Sequence, residues 1–292
     1  MPLALAPGAG TPLFFLTVLN YICVKDVFVS PSPGLITLLT DFGTRDAFVG
    51  IMKGVILSIA PTARVIDLSH DVPPQDIRTG ALILRSAVPF FPRGTIHVTV
   101  VDPGVGTHRR AVLVETRDAF FVGPDNGLLS LAAPPGSVVR TFQLTNSQYF
   151  LPRLSHTFHG RDVFAPVAAH LSRGVRPELL GPSIPTIEQL PLPTVERTDT
   201  QLTGSVIAID HFGNLITNIT EADLHPFPRE TLWVSIGSVQ IQGLVATYAT
   251  VPPGAIAALI NSWGMLEIAV RNGSAAQQLR TPVGTSVCVR IT

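Results

Sequence analysis

From Gly34 onward, apolar positions follow two alternating rhythms. Leu35-Ile36-Thr37-Leu38-Leu39-Thr40 is a short, nearly continuous apolar run, the mark of a buried strand. Asp46–Ala60 then carries Phe48, Met52, Val55, Ile56 and Ile59 at helical spacing. Arg64–Leu68 predicts a strand, Asp76–Val88 a helix and Thr95–Val101 a third strand. Strands alternating with helices predict a mostly parallel central sheet flanked by helices. Ala111–Glu115 and Ala119–Val122 add two short strands, Pro124-Asp125-Asn126-Gly127 a turn, and Val163–Ser172 a further helix.

The rhythm changes in the second half. Residues 182–200 are rich in Pro, Thr and polar side chains and read as a connection. After Gly204 come short strands at Ser205–Asp210, Thr231–Ile236, Val239–Val245, Ala255–Ile260, Leu266–Val270 and Ser286–Ile291, with little helix. This pattern predicts a smaller all-β domain, barrel- or sandwich-like. The chain divides into an N-terminal extension, 1–33, a catalytic α/β domain, 34–185, a linker, 186–203, and a β domain, 204–292. Leu13–Val24 is an apolar run of 12, short of the roughly 20 residues that span a bilayer. No Lys or Arg precedes it, so an extension outside the fold is preferred over a targeting segment or a folded element.

Composition narrows the function. Lys+Arg and Asp+Glu are 20 each, so no basic field for nucleic acid exists. Hydrophobic residues at 46% against 14% charged supply a large core and an apolar subunit interface. Two cysteines, Cys23 and Cys288, form no CxxC, which argues against a thiolate zinc site and fits a reducing, cytoplasmic setting. No membrane partner is expected.

In so charge-poor a chain, two segments stand out. Val101-Asp102-Pro103-Gly104-Val105-Gly106-Thr107-His108-Arg109-Arg110 and Thr157-Phe158-His159-Gly160-Arg161-Asp162 put titratable groups beside turn glycines. Thr40-Asp41-Phe42-Gly43, Asp67-Leu68-Ser69-His70 and Asp102-Pro103-Gly104 all lie at the carboxyl ends of strands, where open α/β sheets bind ligands. Asp102, Arg109 and His159 suit activation of a water. Each also has a plain reading: turn cap, surface charge, core histidine. Gly104-Val105-Gly106 lacks the third glycine of a dinucleotide fingerprint, since Arg109 stands there. His70, His97, His156, His159, Asp41, Asp67 and Asp102 hold donor atoms for a metal, but no ligand spacing supports one. Asp210-His211-Phe212-Gly213-Asn214 suits an adenine or amino-acid ligand and equally a plain β-turn. Asn261-Ser262-Trp263-Gly264 and Val270-Arg271-Asn272-Gly273 share that ambiguity.

From Leu35 to the C-terminus these motifs, with Met52-Lys53-Gly54-Val55-Ile56 and Pro124–Leu129, resemble the S-adenosyl-L-methionine (SAM) hydroxide adenosyltransferases, or adenosine-forming SAM hydrolases, relatives of fluorinase and chlorinase. The resemblance implies a catalytic set at Asp102, Arg109 and His159. It implies that Asp41 meets the ribose, Asp210 and Ser262 the methionine portion, and Phe212 and Asn214 the adenine side. Tyr248 would flank the adenine, and the backbone of Val270 and Asn272 would meet its edge. It further implies a homotrimer with SAM bound between subunits, adenosine and L-methionine as products, and neither cofactor nor metal.

Two departures from the halogenases matter. Fluorinase has Tyr at the position of Asp102, and an insertion where 110–124 is short here. Gly160 stands at its halide-binding Ser, but chlorinase shares Gly there. A carboxylate beside the nucleophile repels halide and accepts a hydrogen bond from water. The expectation is therefore hydrolysis of SAM by in-line attack of water or hydroxide at the ribose 5′ carbon. The alternatives are a halide-using SAM transferase, a SAM- or adenosine-binding protein without turnover, and a metal-dependent hydrolase.

Overall fold

Residues 34–291 are described by the structure, a computed structural model; the expectations for residues 1–33 fall outside them. The first sheet is built from β1 (Leu35–Thr40), β2 (Arg64–Ser69), β3 (Thr95–Val100), β4 (Ala111–Thr116), β5 (Ala119–Pro124) and β6 (Val138–Gln143). Their order is β2-β1-β3-β5-β4-β6. β2, β1, β3 and β5 run parallel, while β4 is antiparallel to both neighbours. Every residue of β1, β3 and β5 is buried, as a strand covered on both faces requires.

Helices α1 (Phe48–Ile59), α2 (Ile77–Ala87) and α3 (Ala165–Ser172) flank this sheet. α1 buries Met52 and Ile56 as its spacing predicts, together with Val49; Val55 and Ile59 are half-buried and Phe48 is exposed, because the helix is rotated so that Val49 and not Phe48 faces the sheet. Asp76 caps α2 by accepting from Thr79 N–H at 3.0 Å. The expected helix 163–172 starts later, at Ala165, because a wide π-type turn, Gly160–Phe164, precedes it and carries the chain from His159 into α3.

The second sheet contains β7 (Glu196–Arg197), β8 (Gln201–Ile209), β9 (Leu215–Thr220), β10 (Leu232–Ile236), β11 (Val239–Gln242), β12 (Ile256–Ile260), β13 (Met265–Val270) and β14 (Ser286–Ile291). All pairings are antiparallel, in the order β11-β10-β14-β8-β9-β13-β12, with β7 beside β8. Its two ends approach each other: Val245 N–H, just after β11, donates to the Ala258 carbonyl of β12 at 2.9 Å. The sheet is thus nearly a barrel around Leu202, Val234, Leu266 and Val289. Short helices α4 (Glu221–Leu224) and α5 (Ala275–Leu279) decorate it.

β6 and β9 escape the sequence pattern. β9, Leu-Ile-Thr-Asn-Ile-Thr, buries polar Thr217 and Asn218. Thr217 donates to the Leu266 carbonyl at 2.8 Å, and Asn218 both accepts from Ser205 N–H at 2.7 Å and donates to the Pro193 carbonyl at 2.8 Å. Satisfied polar groups tolerate burial but interrupt an apolar signature. The Pro-rich stretch after residue 182 packs on the first half, where Ile187 joins Leu128 and Leu129 and Glu188 N–H donates to Asp125 at 2.7 Å. Leu82 of α2 meets Ile207, Ile216 and Met265, joining the two halves.

Candidate active site

Because β2, β1 and β3 are adjacent and parallel, their carboxyl ends lie side by side. Asp41 and Asp102 follow the ends of β1 and β3, while Asp67 lies within β2, two residues before its end. The Asp102 loop is held from below: Asn126 donates to the Val101 carbonyl at 2.9 Å, and Arg110 pairs with buried Asp125 at 2.5 Å. The turn signal at 124–127 therefore serves this loop. Gly106 lies at φ +78°, where a Cβ would stand 2.4 Å from the His156 carbonyl oxygen, so glycine lets the two charged segments meet.

They do meet. Arg109 Nε donates to Asp102 Oδ1 and Oδ2 at 2.9 and 3.0 Å, and Arg109 Nη2 also bonds Asp102. Nη2 reaches His159 Nδ1 at 2.9 Å. The Asp102 and Arg109 side chains are only 5% and 10% exposed. The Phe164 ring lies 5.4 Å from the guanidinium carbon and backs it.

This geometry fixes the state of His159. A guanidinium has donors only, so Nδ1 must present its lone pair, and the remaining proton of the neutral ring sits on Nε2. Burial, then the adjacent Arg109 charge, hold the imidazole below the usual histidine range. His159 is thereby a neutral Nε2–H donor. A second proton would have to sit on Nδ1, facing Arg109.

Asp41 is bonded to another loop. Its Oδ2 accepts from Gln75 N–H at 2.8 Å. Asp67 is occupied by Lys53, which donates at 2.6 Å; His70 Nε2 lies 3.0 Å away but off the hydrogen-bonding direction. Among the described residues no three His, Cys, Asp or Glu side chains gather as a metal ion would need. His97 is buried in the sheet instead, 2.7 Å from the Thr37 hydroxyl and stacked on Phe121.

The second sheet holds a cavity of about 990 Å³. Asp210, Phe212 and Asn214 line it from the β8–β9 turn, Tyr248 from the β11–β12 connection, and Ser262, Val270 and Asn272 from either end of β13. Asp210 accepts from the backbone N–H groups of Phe212 and Asn214 at 2.9 and 2.8 Å and from the Asn214 amide at 2.8 Å. Arg271, beside these residues, donates to the Ala249 and Val251 carbonyls at 3.1 and 2.7 Å and so clamps the Tyr248 segment. Phe212 is 74% exposed at the rim. No residue of the first sheet or its helices lines this cavity. Within one chain, the charged trio and the cavity are thus separate.

Sequence reasoning passed over Glu267. It is 2% exposed, lines the cavity, and accepts from Tyr248 and Asn261. The signal was available, since a lone acid stands inside the apolar strand Leu266–Val270.

The chain is similar to known proteins over most of its length. Residues 36–181 match the model of the SAM hydroxide adenosyltransferase N-terminal domain, and 204–288 that of its C-terminal domain. A Salinispora arenicola protein named (R)-S-adenosyl-L-methionine hydrolase is 42% identical over 87% of this chain and 97% of its own. A fluorinase of Nocardia brasiliensis is 26% identical over 88% and 97%. The crystal structure of an uncharacterized conserved protein from Thermotoga maritima superposes with TM-score 0.83 at 35% identity, covering 88% of this chain and all of that one.

Proposed function

The chain belongs to the SAM hydroxide adenosyltransferase family, and from that premise we infer that it hydrolyses SAM to adenosine and L-methionine, with Asp102, Arg109 and His159 acting on the water. The observation that carries this reading is that Asp102 and the Nδ1 side of His159 are held on one Arg109 fork.

The C5′–S bond breaks with its electron pair passing to sulfur. The leaving group is a neutral thioether, so no general acid is needed. What the site must supply is an oriented, poorly hydrated oxygen nucleophile. Asp102 accepts a hydrogen bond from the water and takes its proton as the O–C5′ bond forms. His159 Nε2–H donates to the same oxygen and fixes its direction. Arg109 holds the Asp102 carboxylate in place and blocks His159 Nδ1. Holding the water in line is worth up to ~7–11 kcal/mol in well-oriented cases. Proton removal adds roughly 10²–10⁴-fold. A halide in the same place would face the Asp102 carboxylate, an unfavourable pairing in a site this enclosed.

The cavity of the second sheet is the matching receptor for the rest of SAM. Asp210 and Ser262 suit the methionine ammonium and carboxylate, Phe212, Asn214 and Tyr248 the adenine, and the backbone at Val270 and Asn272 its edge. Asp41 suits the ribose hydroxyls. Since trio and cavity lie on different halves of one chain, the reading includes a homotrimer in which one subunit's first half faces its neighbour's cavity. Exposed Phe48, Ile51 and Ile66 give that assembly apolar surface to cover. No cofactor or metal takes part, and the enzyme works in the cytoplasm.

The test is product analysis from purified protein and SAM in heavy-oxygen water, with and without chloride and chelator. Labelled adenosine plus methionine, indifferent to chelator, is the expected result. A halogenated nucleoside would move the activity to the halogenase branch, and intact SAM would leave only binding. Sedimentation of the same sample reads the trimer, and cell fractionation the compartment.

A further inference from the structure

Glu267 sits in the middle of β13, between Leu259 of β12 and Ile216 of β9. It is 2% exposed, and among the described residues its bonding partners are two neutral donors, with no ion pair. Tyr248 Oη donates to Oε1 at 2.7 Å, and Asn261 Nδ2 donates to Oε2 at 3.1 Å. Asn261 in turn accepts from the backbone N–H groups of Trp263 and Met265 at 2.9 and 3.1 Å, which shapes the turn bearing Ser262. One carboxyl therefore ties together two walls of the cavity, the Tyr248 ring and the Ser262 turn. Among the described residues this is the hydrogen bond that fastens the Tyr248 side chain, which is 41% exposed. Burial pushes the Glu267 carboxyl up from its ordinary range, with the Asp210 charge adding to it. A buried acid of this kind costs stability unless its bonds are put to use.

We propose that Glu267 is a positioning residue for SAM recognition: through Tyr248 and Asn261 it fixes the spacing between the cavity's aromatic wall and its Ser262 turn. This rests on the reading of the cavity as the nucleoside receptor. Glu267 acts through its two partners rather than on the reacting atoms, so its removal should weaken binding and leave the chemical step alone.

Hydrogen-bond chemistry makes the proposal specific. The Asn261 amide cannot flip, because its oxygen already holds two backbone N–H groups. It must present N–H to residue 267. Glutamine satisfies this with its carbonyl facing Asn261 and its amide donating to the tyrosine oxygen, which can accept. Glu267→Gln therefore retains both tethers without the charge, and Glu267→Ala loses both. Tyr248→Phe loses one tether and keeps the ring.

The experiment measures kcat and KM for SAM, with adenosine Kd by calorimetry, on wild type, Glu267→Ala, Glu267→Gln, Tyr248→Phe and the Glu267→Ala/Tyr248→Phe pair. The expected result is KM and adenosine Kd raised about tenfold or more in Glu267→Ala, with kcat within about threefold, both constants near wild type in Glu267→Gln, and a smaller rise in Tyr248→Phe. The double variant should fall short of the product of the single effects. Unchanged KM and Kd in Glu267→Ala, or Gln as impaired as Ala, overturns the proposal. Where Glu267→Ala does not fold, Tyr248→Phe with wild-type KM and Kd overturns it alone. Wild-type turnover is the separate control on function: a chain that releases no adenosine sinks the hydrolase reading, while the variants' adenosine Kd still decides the tether.

Discussion

Arg109→Lys preserves a positive charge and removes a fork, which makes it the sharpest test of the trio. In the structure Nε serves both Asp102 oxygens at 2.9 and 3.0 Å, while Nη2 serves His159 Nδ1 at 2.9 Å. An ammonium is a compact point donor and cannot hold both partners in these directions. With Asp102 5% exposed, little water is at hand to replace a lost bond. A hydrogen bond to a charged group contributes about 1.5–3 kcal/mol. Felt fully in the transition state, one such bond corresponds to roughly 10- to 150-fold in rate. Losing the His159 contact also frees its tautomer, so the two effects compound. We expect kcat to drop at least about 10²-fold, ~2.7 kcal/mol, with KM for SAM within about threefold, since the cavity lies on the other sheet. The assay is adenosine release by chromatography across SAM concentrations, with thermal unfolding of the same samples to separate a folding loss. A kcat within twofold of wild type would refute the fork argument.

Asp102→Ala should lower turnover by about 10²-fold or more while adenosine binding by calorimetry persists; unchanged turnover removes Asp102 from the mechanism. Burial holds the His97 imidazole down at about 4. The unfolded chain thus takes up its proton near 6.5, and the fold only near 4. This contribution to stability is intact above pH 6.5 and is lost as pH falls toward 4, by about 3 kcal/mol in all. Urea unfolding across that window reads the slope; a flat profile that persists in a His97→Gln comparison would contradict it. Gly106→Ala forces an L residue to φ +78° with its Cβ 2.4 Å from the His156 carbonyl. Stability should fall by about 2 kcal/mol or more, and kcat with it, because the loop carries Arg109. Wild-type melting temperature and rate in that variant would show the segments can part freely.

Local rules made much of the architecture readable in advance. The runs at 35–40 and 95–101 are apolar because both sheet faces are covered, and α1 shows its buried stripe at Met52 and Ile56. Side chains that satisfy themselves through the fold were less readable. Asn218 and Thr217 conceal β9, and the wide turn at 160–164 shortens a helix whose periodicity runs on. The charged segments announced themselves as candidates by composition alone, but their alternative roles stayed open until distances were known.

By itself, the sequence determined the fold class and named the candidates for the site, since periodicity and residue type act over a few positions and survive without coordinates. The tertiary structure decided what those residues do to one another. Arg109 and His159 are 50 positions apart, and only the fold buries the imidazole and brings the guanidinium within 2.9 Å of it, which together hold it below the usual histidine range. Glu267 and Tyr248 are 19 apart, and only the closing of the second sheet gives the buried acid its partner. Protonation state and tethering depend on distance and desolvation, and those are properties of the folded packing rather than of neighbours along the chain.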